Sequence, residues 1–322
     1  MKITNNYALP EWLYQSIASS IEQPDPNVIR VTELINPPLE RWLKFKYWDS
    51  MEKDAVEYLT PHFGTAWHQI HEKFNKDKNA AARLATDSIL IEERMNHEVS
   101  NEMILSGKFD RFERETETIH DVKLFNTKSF KIGSELKESQ IAQQNIYRWL
   151  LWKTKGILAN KMVLEVLFRD WFIINVEREY YKAHPTYHPI PYYEANVPIW
   201  SMERTELYIE ERLERHYKAI NTLPDIEISR DSLKEIECSD EDKWKNPDCW
   251  AVCYKMKNGD TRAYNGAAKF SSESIALDFQ FKLTPARKSK SFIEFRVSKP
   301  NRCNLYCSMR SKCPYPEAPI VY

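Results

Sequence analysis

The stretch Gly107-Lys108-Phe109-Asp110, followed eleven residues after Asp110 by Asp121-Val122-Lys123, decides the reading of this chain. Three segments around it, Ile89–Val99, Met103–Glu113 and Thr118–Phe125, alternate roughly between apolar and polar residues with polar breaks between them, as half-buried strands do. They read as a β-meander. If Met103–Glu113 and Thr118–Phe125 pair antiparallel, a turn near 114–117 brings Asp110 and Asp121 together. Two carboxylates on neighbouring strands make a hard, oxygen-rich site suited to Mg²⁺ or Mn²⁺. Lys123 follows Asp121 by two residues and so shares its face of the strand. A cationic side chain there can orient a water and stabilise charge developing on a phosphate. Alone, such a triplet is an ordinary charge cluster on a wet sheet face. Its surroundings give it weight.

Upstream, Val56, Leu59, Phe63, Trp67, Ile70 and Phe74 recur at three- and four-residue steps, which predicts helix over 54–74 with one buried face, broken in two near Pro61 and Gly64. Within it, Gly64-Thr65-Ala66-Trp67-His68 supplies a histidine whose neutral ring can complete a metal shell. Downstream, Glu138–Lys153 returns to helical spacing and puts Gln143 and Tyr147 on one face, and Lys161–Phe168 reads as a buried strand. The order helix, three strands, helix, strand implies an α/β fold, a mixed sheet flanked by helices. A zinc-peptidase reading of His68-Gln69-Ile70-His71-Glu72 fails, because the string is neither HExxH nor HxxEH. His71 is read as a partly exposed helix histidine and Glu72 as support behind the site.

These four motifs, Gly64…His68, Gly107-x-x-Asp110, Asp121-x-Lys123 and Gln143-x-x-x-Tyr147, in this order, resemble the PD-(D/E)XK nucleases, in their RecB-type branch of CRISPR-associated and phage exonucleases. The αβββαβ order is also that superfamily's core. Val31–Pro38 and Phe168-Arg169-Asp170-Trp171 look like segments of phage-encoded members, so the similarity spans most of the chain. The resemblance implies that His68, Asp110, Asp121 and the carbonyl of Val122 bind Mg²⁺ or Mn²⁺, that Lys123 positions the attacking water, and that Gln143 and Tyr147 hold the site or the DNA strand. It departs at two places: Phe109 stands where the family's name has Pro, and Asp121 fills the second acidic position. The implied activity is a metal-dependent deoxyribonuclease, an exonuclease on linear or single-stranded DNA in phage or bacterial recombination, repair or processing. The second reading is a catalytically silent DNA-binding or recombination-partner protein on the same fold. DNA is the expected partner, with recombination or replication proteins beside it. Rings form among relatives, so an oligomer stays open.

All six cysteines fall in the last hundred residues, and Cys303-x3-Cys307-x5-Cys313 gathers three of them beside Pro314. Thiolates so spaced select Zn²⁺ or an iron–sulfur cluster. RecB-type nucleases with a cluster take one Cys from the N-terminal segment and three from the C-terminal end. The residue before Pro37 that resembles that N-terminal Cys is Asn36, and the phage-type relatives point to Cys238 as the fourth ligand, with Cys249 and Cys253 as alternatives. Cys253, between Val252 and Tyr254, also suits a buried position on a strand. The resemblance favours [4Fe–4S], with Zn²⁺ the alternative.

Composition narrows the rest. Of 322 residues only 6 are glycine, and neither GxGxxG nor GxxxxGK[ST] can be drawn, which removes the commonest dinucleotide and NTP sites. A net charge of -1 leaves any polyanion site to local charge. One such place is the run Lys282, Arg287, Lys288, Lys290, Arg296, Lys299 and Arg302, with a solvated loop face as the plainer alternative. Tyr180, Tyr181, Tyr187, Tyr192 and Tyr193 offer base stacking or plain loop packing. The longest run without Asp, Glu, Lys or Arg is 58–71, 14 residues, so no membrane span and no export signal is expected and the protein is placed in the cytoplasm. Residues 1–225 are expected to form the nuclease-like core with an N-terminal helical segment. Residues 226–322 form the Cys-rich module, with a two-residue type I′ hairpin at Asn258-Gly259 and a helix near Ser272–Phe281.

Overall fold

The computed structural model describes residues 1–81, 89–99, 103–179, 182, 187–222, 233–264 and 268–315. Tyr180 and Tyr181 lie outside the described residues. The chain divides into two compact units, Met1–Asp225 and Ile226–Tyr322. Among the described residues no helix is long and apolar enough to cross a membrane.

The first unit is α/β. Besides a short parallel pair, Lys2–Thr4 with Glu52–Asp54, its strands are β1 (Val28–Arg30), β2 (Ile89–Ile91), β3 (Arg94–Glu98), β4 (Ile104–Lys108), β5 (Arg111–Glu113), β6 (Thr118–Phe125), β7 (Lys161–Phe168) and β8 (Tyr192–Asn196). The helices that position the site are α1 (Val31–Leu34), α2 (Pro38–Tyr47), α3 (Leu59–Ala81), α4 (Glu138–Lys155) and α5 (Met202–Thr222). A mixed five-stranded sheet runs in the order β8–β7–β6–β5–β2, with only β6 and β7 parallel. A three-stranded sheet, β1–β4–β3, stands beside it in sequence.

The expected meander of three long strands is therefore bent. Ile89–Val99 breaks at Glu92-Glu93 and Met103–Glu113 at Phe109-Asp110. One register nevertheless runs through the break: Ile91 faces Arg111 on one side of it and Arg94 faces Lys108 on the other. Between these pairs the Glu92 N–H donates to the Asp110 carbonyl at 3.0 Å. Glu92 has φ 50°, a left-handed conformation that a pleated strand cannot continue, so the two halves of the hairpin join different sheets. Leu105, Phe109, Phe112, Ile119, Ile146 and Leu150 form the centre of the core.

Gly107 marks the tightest approach of β4 to α4. A Cβ there meets Leu150 Cδ1 at 2.5 Å, Val31 Cγ2 at 2.9 Å and Tyr147 Cδ1 at 3.2 Å. Gly107→Ala is expected to destabilise this unit by about 1–3 kcal/mol through overpacking. Urea unfolding checks this as a lower midpoint at unchanged slope; an unmoved midpoint means that Leu150 gives way at no cost.

Helix α3 departs from expectation twice. It runs unbroken, because Pro61 stands in the first turn, where a missing N–H costs nothing, and Gly64 is tolerated inside it. Its sides are also reversed. Phe63, Trp67, Ile70 and Phe74 are 61%, 38%, 61% and 67% exposed, whereas Asn75 is buried and His68, His71 and Glu72 are half-buried. The surface beneath is polar: His71, lowered first by its burial, also feels Arg111, Asp110, Glu165 and Glu92. A polar face is the one that can be satisfied there.

Helix α5 is pinned to the end of α1. Arg212 Nε donates to the Leu34 carbonyl at 2.9 Å, and His216 Nε2 lies 3.1 Å from the same oxygen. A carbonyl only accepts, so Nε2 carries the proton, while Nδ1 is buried without a partner. Burial first, then Arg212 and Arg41, depress His216 to about 3. An unfolded histidine takes up its proton near pH ~6.5, well before this ring does. Stability is thus full above that pH and falls as the pH drops towards the folded value. At pH 5 the loss is about 2 kcal/mol. Urea titrations at neutral pH and at pH 5 check it: His216→Gln should flatten the difference, and equal acid sensitivity in both proteins would assign the loss elsewhere.

The second unit is built on β9 (Cys249–Lys255), paired antiparallel with β10 (Thr261–Ala263) and β11 (Lys269–Phe270) on one edge and with β12 (Ser291–Arg296) on the other. Helix α6 (Glu273–Phe281) contributes Ala276 to a core with Val252 and Ala268. The hairpin at Asn258-Gly259 is present with a longer loop than expected. Met256 N donates to Asp260 O at 2.7 Å and Gly259 N to Met256 O at 3.0 Å, and of the loop residues only Gly259 has positive φ, 89°. That is a three-residue loop with glycine in the left-handed place, not a two-residue type I′ turn. The basic run 282–302 is not one loop face either. It contains β12, Lys288 Nζ lies 3.7 Å over the Phe281 ring, and Arg296 binds Glu294 and the Cys253 sulfur.

Candidate metal centre

The break in the hairpin builds the site. Arg111 faces His120, so the same register sets Asp110 opposite Asp121, and Glu92 already stands opposite Asp110. Three carboxylates thus form a row across three consecutive strand paths. Asp110 is 5% and Asp121 2% exposed, and the Glu92 side chain 5%. One Asp110 oxygen, Oδ2, accepts from the Val122 N–H at 2.6 Å, which fixes the carboxylate and leaves Oδ1 for other partners.

His68 on α3 meets this row. Its Nδ1 lies 3.1 Å from Asp110 Oδ1 and 3.6 Å from Glu92 Oε1. Asp110 first, and then Glu92, favour the protonated ring and raise its pKa to about 9. Burial pushes Glu92 up, but His68 and the ammonium of Lys108, which pairs with it, hold it below its ordinary value. Any cation bound here displaces the imidazole proton.

Lys123 Nζ is 3.2 Å from Asp121 Oδ1 and 3.0 Å from Oδ2. Burial pushes Asp121 up further than Lys123 pulls it down, to about 6. Desolvation opposes the charge on Lys123, and Asp121, helped by Asp110, overcomes it and holds its pKa above the ordinary lysine value. Gln143 Nε2 donates to the Tyr147 hydroxyl at 2.9 Å, and burial, followed by Asp121, pushes that hydroxyl up to about 12. Tyr147 is therefore a neutral neighbour of the Asp121–Lys123 pair. Of the residues singled out in the sequence, His68 and Asp110 come together with Val122, while Asp121, Lys123, Gln143 and Tyr147 adjoin them.

Glu92 is the member that sequence reading missed. Among the described residues, His68, Glu92 and Asp110 are the group of three whose ligand atoms all lie within 4.8 Å of one another. His68 Nδ1, Glu92 Oε1 and Asp121 Oδ2 are buried and meet only the ion-pair contacts described above, without a hydrogen bond of good geometry. Buried polar atoms held only by ion-pair contacts of poor hydrogen-bond geometry, three in one place, mark a site suited to a further ligand. One imidazole nitrogen with carboxylate oxygens fits a divalent cation such as Mn²⁺ or Mg²⁺.

The tyrosines offered for stacking are engaged locally. Tyr187 donates to the Phe172 carbonyl at 3.1 Å, Tyr192 to Glu194 at 2.8 Å, and Tyr193 packs against the core.

In the second unit Cys253 is fully buried on β9, as a small apolar residue would be, with Arg296 Nη2 3.1 Å from its sulfur. Cys238 is half-buried, and its thiol is raised above the usual range by burial, then Asp242, then Cys303, Cys313 and Cys307. The latter three sulfurs are thus close enough to act on Cys238. The chain there is held by Arg302 N donating to Lys243 O at 3.1 Å and by the Trp244 and Tyr306 rings, 5.2 Å apart.

No family model and no curated protein matches the chain. Among solved structures, one described as "Crystal structure of SSO0001" is similar at 16% identity and a TM-score of 0.41, covering 67% of this chain and 95% of that one.

Proposed function

We propose that the first unit is a PD-(D/E)XK nuclease core and that the protein is a metal-dependent DNA nuclease, an exonuclease on linear or single-stranded DNA. The observation that carries this reading is the row Glu92, Asp110 and Asp121 meeting His68 on one side and Lys123 on the other, with ligand atoms of His68, Glu92 and Asp110 within 4.8 Å of one another. His68, Glu92 and Asp110 hold a divalent cation, and Asp121 and the Val122 carbonyl border it. Bound there, Mg²⁺ or Mn²⁺ supplies Lewis-acid polarisation of a phosphodiester. Lys123, held charged beside Asp121, orients the attacking water and offsets charge on the phosphate oxygens. The Val122 N–H fixes Asp110, and Gln143 and Tyr147 adjoin the buried Asp121 and help keep it in a dry, fixed setting. In the second unit Cys238, Cys303, Cys307 and Cys313 hold a [4Fe–4S] cluster or Zn²⁺, a reading supported by their mutual influence and by the chemistry of thiolate sites.

End-labelled linear single- and double-stranded DNA, with a circular control, tests the nuclease reading in Mn²⁺, in Mg²⁺ and in chelator. Metal-dependent shortening of the linear molecules is the expected result. Binding without cleavage in any metal sinks the nuclease and leaves a DNA-binding protein on the same fold.

A further inference from the structure

The polar surface beneath helix α3 accounts for its inward face but not for the large apolar side chains on its outward one. Phe63, Trp67, Ile70 and Phe74 follow one another at steps of four, three and four, so they form one stripe, and all are exposed. A contiguous apolar stripe on a surface marks a binding site more often than chance. Its polar neighbours say for what. Phe63 and Trp67 line an open pocket of about 310 Å³ whose other walls include His68, Lys123 and Arg169. Gly64, between the two rings in sequence, also lines it, and a Cβ there meets nothing within 4 Å, so the wall is left open. Arg169 is exposed and anchored through Nε to Asn126 Oδ1 at 2.7 Å.

Flat aromatic faces beside cationic groups match a chain of bases and phosphates, and match an apolar protein surface poorly, because Lys123 and Arg169 border the rings. Inside a duplex each base face is covered by its neighbours, so away from its ends only unpaired bases offer a face to Phe63 or Trp67. We infer that the outward face of α3, from Phe63 and Trp67 at the pocket to Ile70 and Phe74 beyond it, is a stacking platform for unpaired bases of single-stranded DNA. A base seated on Phe63 and Trp67 brings its phosphate to Lys123 and Arg169. Such a platform deepens the nuclease reading and rests on it for the chemistry at the phosphate, but the binding itself is measurable without cleavage.

The test is fluorescence anisotropy of labelled oligothymidylate and of a blunt duplex with the full chain, without added divalent ion. Phe63→Ala and Trp67→Ala are each expected to weaken single-strand binding by about 5- to 150-fold, the range for one lost base stack. Phe63→Leu keeps apolar bulk without the ring and should fall with Phe63→Ala, whereas Trp67→Phe should keep most of the affinity. These residues are exposed, so circular dichroism should be unchanged. Unaltered single-strand affinity in both alanine variants, or equal losses on duplex and single strand, overturns the inference. So does a wild-type dimer in sedimentation that the double variant dissolves, which assigns the face to a second copy of the chain. Stacking without metal-dependent cleavage sinks the nuclease alone, and cleavage with indifferent Phe63 and Trp67 sinks this inference alone.

Discussion

Lys123→Ala is expected to lose cleavage by a factor of about 10²–10³ or more while binding divalent ions nearly as well as the wild type; the size is that of removing one preorganised charge from a developing oxyanion. The two properties separate because Lys123 pairs with Asp121, whereas the closest set of ligand atoms is His68, Glu92 and Asp110. Glu92→Gln should behave in the opposite way. It removes one anionic ligand and should raise the Mn²⁺ concentration for half-maximal rate by about 10- to 100-fold, the scale seen for weakened metal sites, with most of the rate regained at saturation. Asp121 is held at about 6 with Lys123 beside it, and taking the ammonium away leaves burial unopposed by its main counter-charge. The lysine variant therefore has to be assayed on the alkaline side, where Asp121 is ionised, or a protonation effect will pass for a catalytic one. Equal losses in both variants at every metal concentration would remove the division of roles. Full activity in Lys123→Ala sinks the nuclease mechanism itself.

Parts of this site were legible in the sequence because they depend on period and local turns. Lys161–Phe168 is a strand over the whole stretch read as one, since it is apolar on both faces between a helix and a polar turn. The pairing of Asp110 with Asp121 follows from the turn near 114–117, and the structure has Arg111 opposite His120 as that turn requires. Glu92 was hidden for a definite reason. It stands inside an alternating segment, and only the register of Ile89 with Glu113 and of Arg94 with Lys108 sets it opposite Asp110. The signal was two adjacent acids, Glu92-Glu93, interrupting an apolar strand. The break itself needs a non-glycine residue in the left-handed region, which no sequence pattern announces. Periodicity also identified helix α3 without telling which side is buried. The rule that the apolar side turns inward fails there because the surface beneath is made of Glu92, Asp110, Arg111 and Glu165. At Asn258-Gly259 the dipeptide placed the turn but not its loop length, which was settled by positive φ at Gly259 alone.

Cys303→Ser is expected to strip the second unit of its metal and to abolish that unit's own unfolding transition, leaving the transition of Met1–Asp225 in place. The cause lies at Cys238. Burial, then Asp242, and then the neighbouring Cys303, Cys313 and Cys307 push its thiol upward, so without metal the Cys238 sulfur is neutral among the other three. A soft cation opposes that shift, since it deprotonates the thiols and binds them as thiolates. Such a site does not exist in the unfolded chain, so its binding free energy becomes folding free energy, about 10–16 kcal/mol for structural Zn²⁺ in small domains at neutral pH. The fully buried side chains of the unit's sheet are small, among the described residues Ala251, Cys253 and Ala263 on one side and Val252, Ala268 and Ala276 on the other, while larger ones such as Trp250, Phe270 and Ile293 are only partly buried. Cys238→Ser should match Cys303→Ser, whereas Cys253→Ala should keep the metal and cost only what a trimmed core side chain costs. Metal analysis of the purified full chain, with visible absorption to tell iron–sulfur from zinc, and calorimetric unfolding of each variant check all three. Full metal content in Cys238→Ser removes Cys238 from the ligand set, and a metal-free wild type with an intact second transition removes the metal altogether.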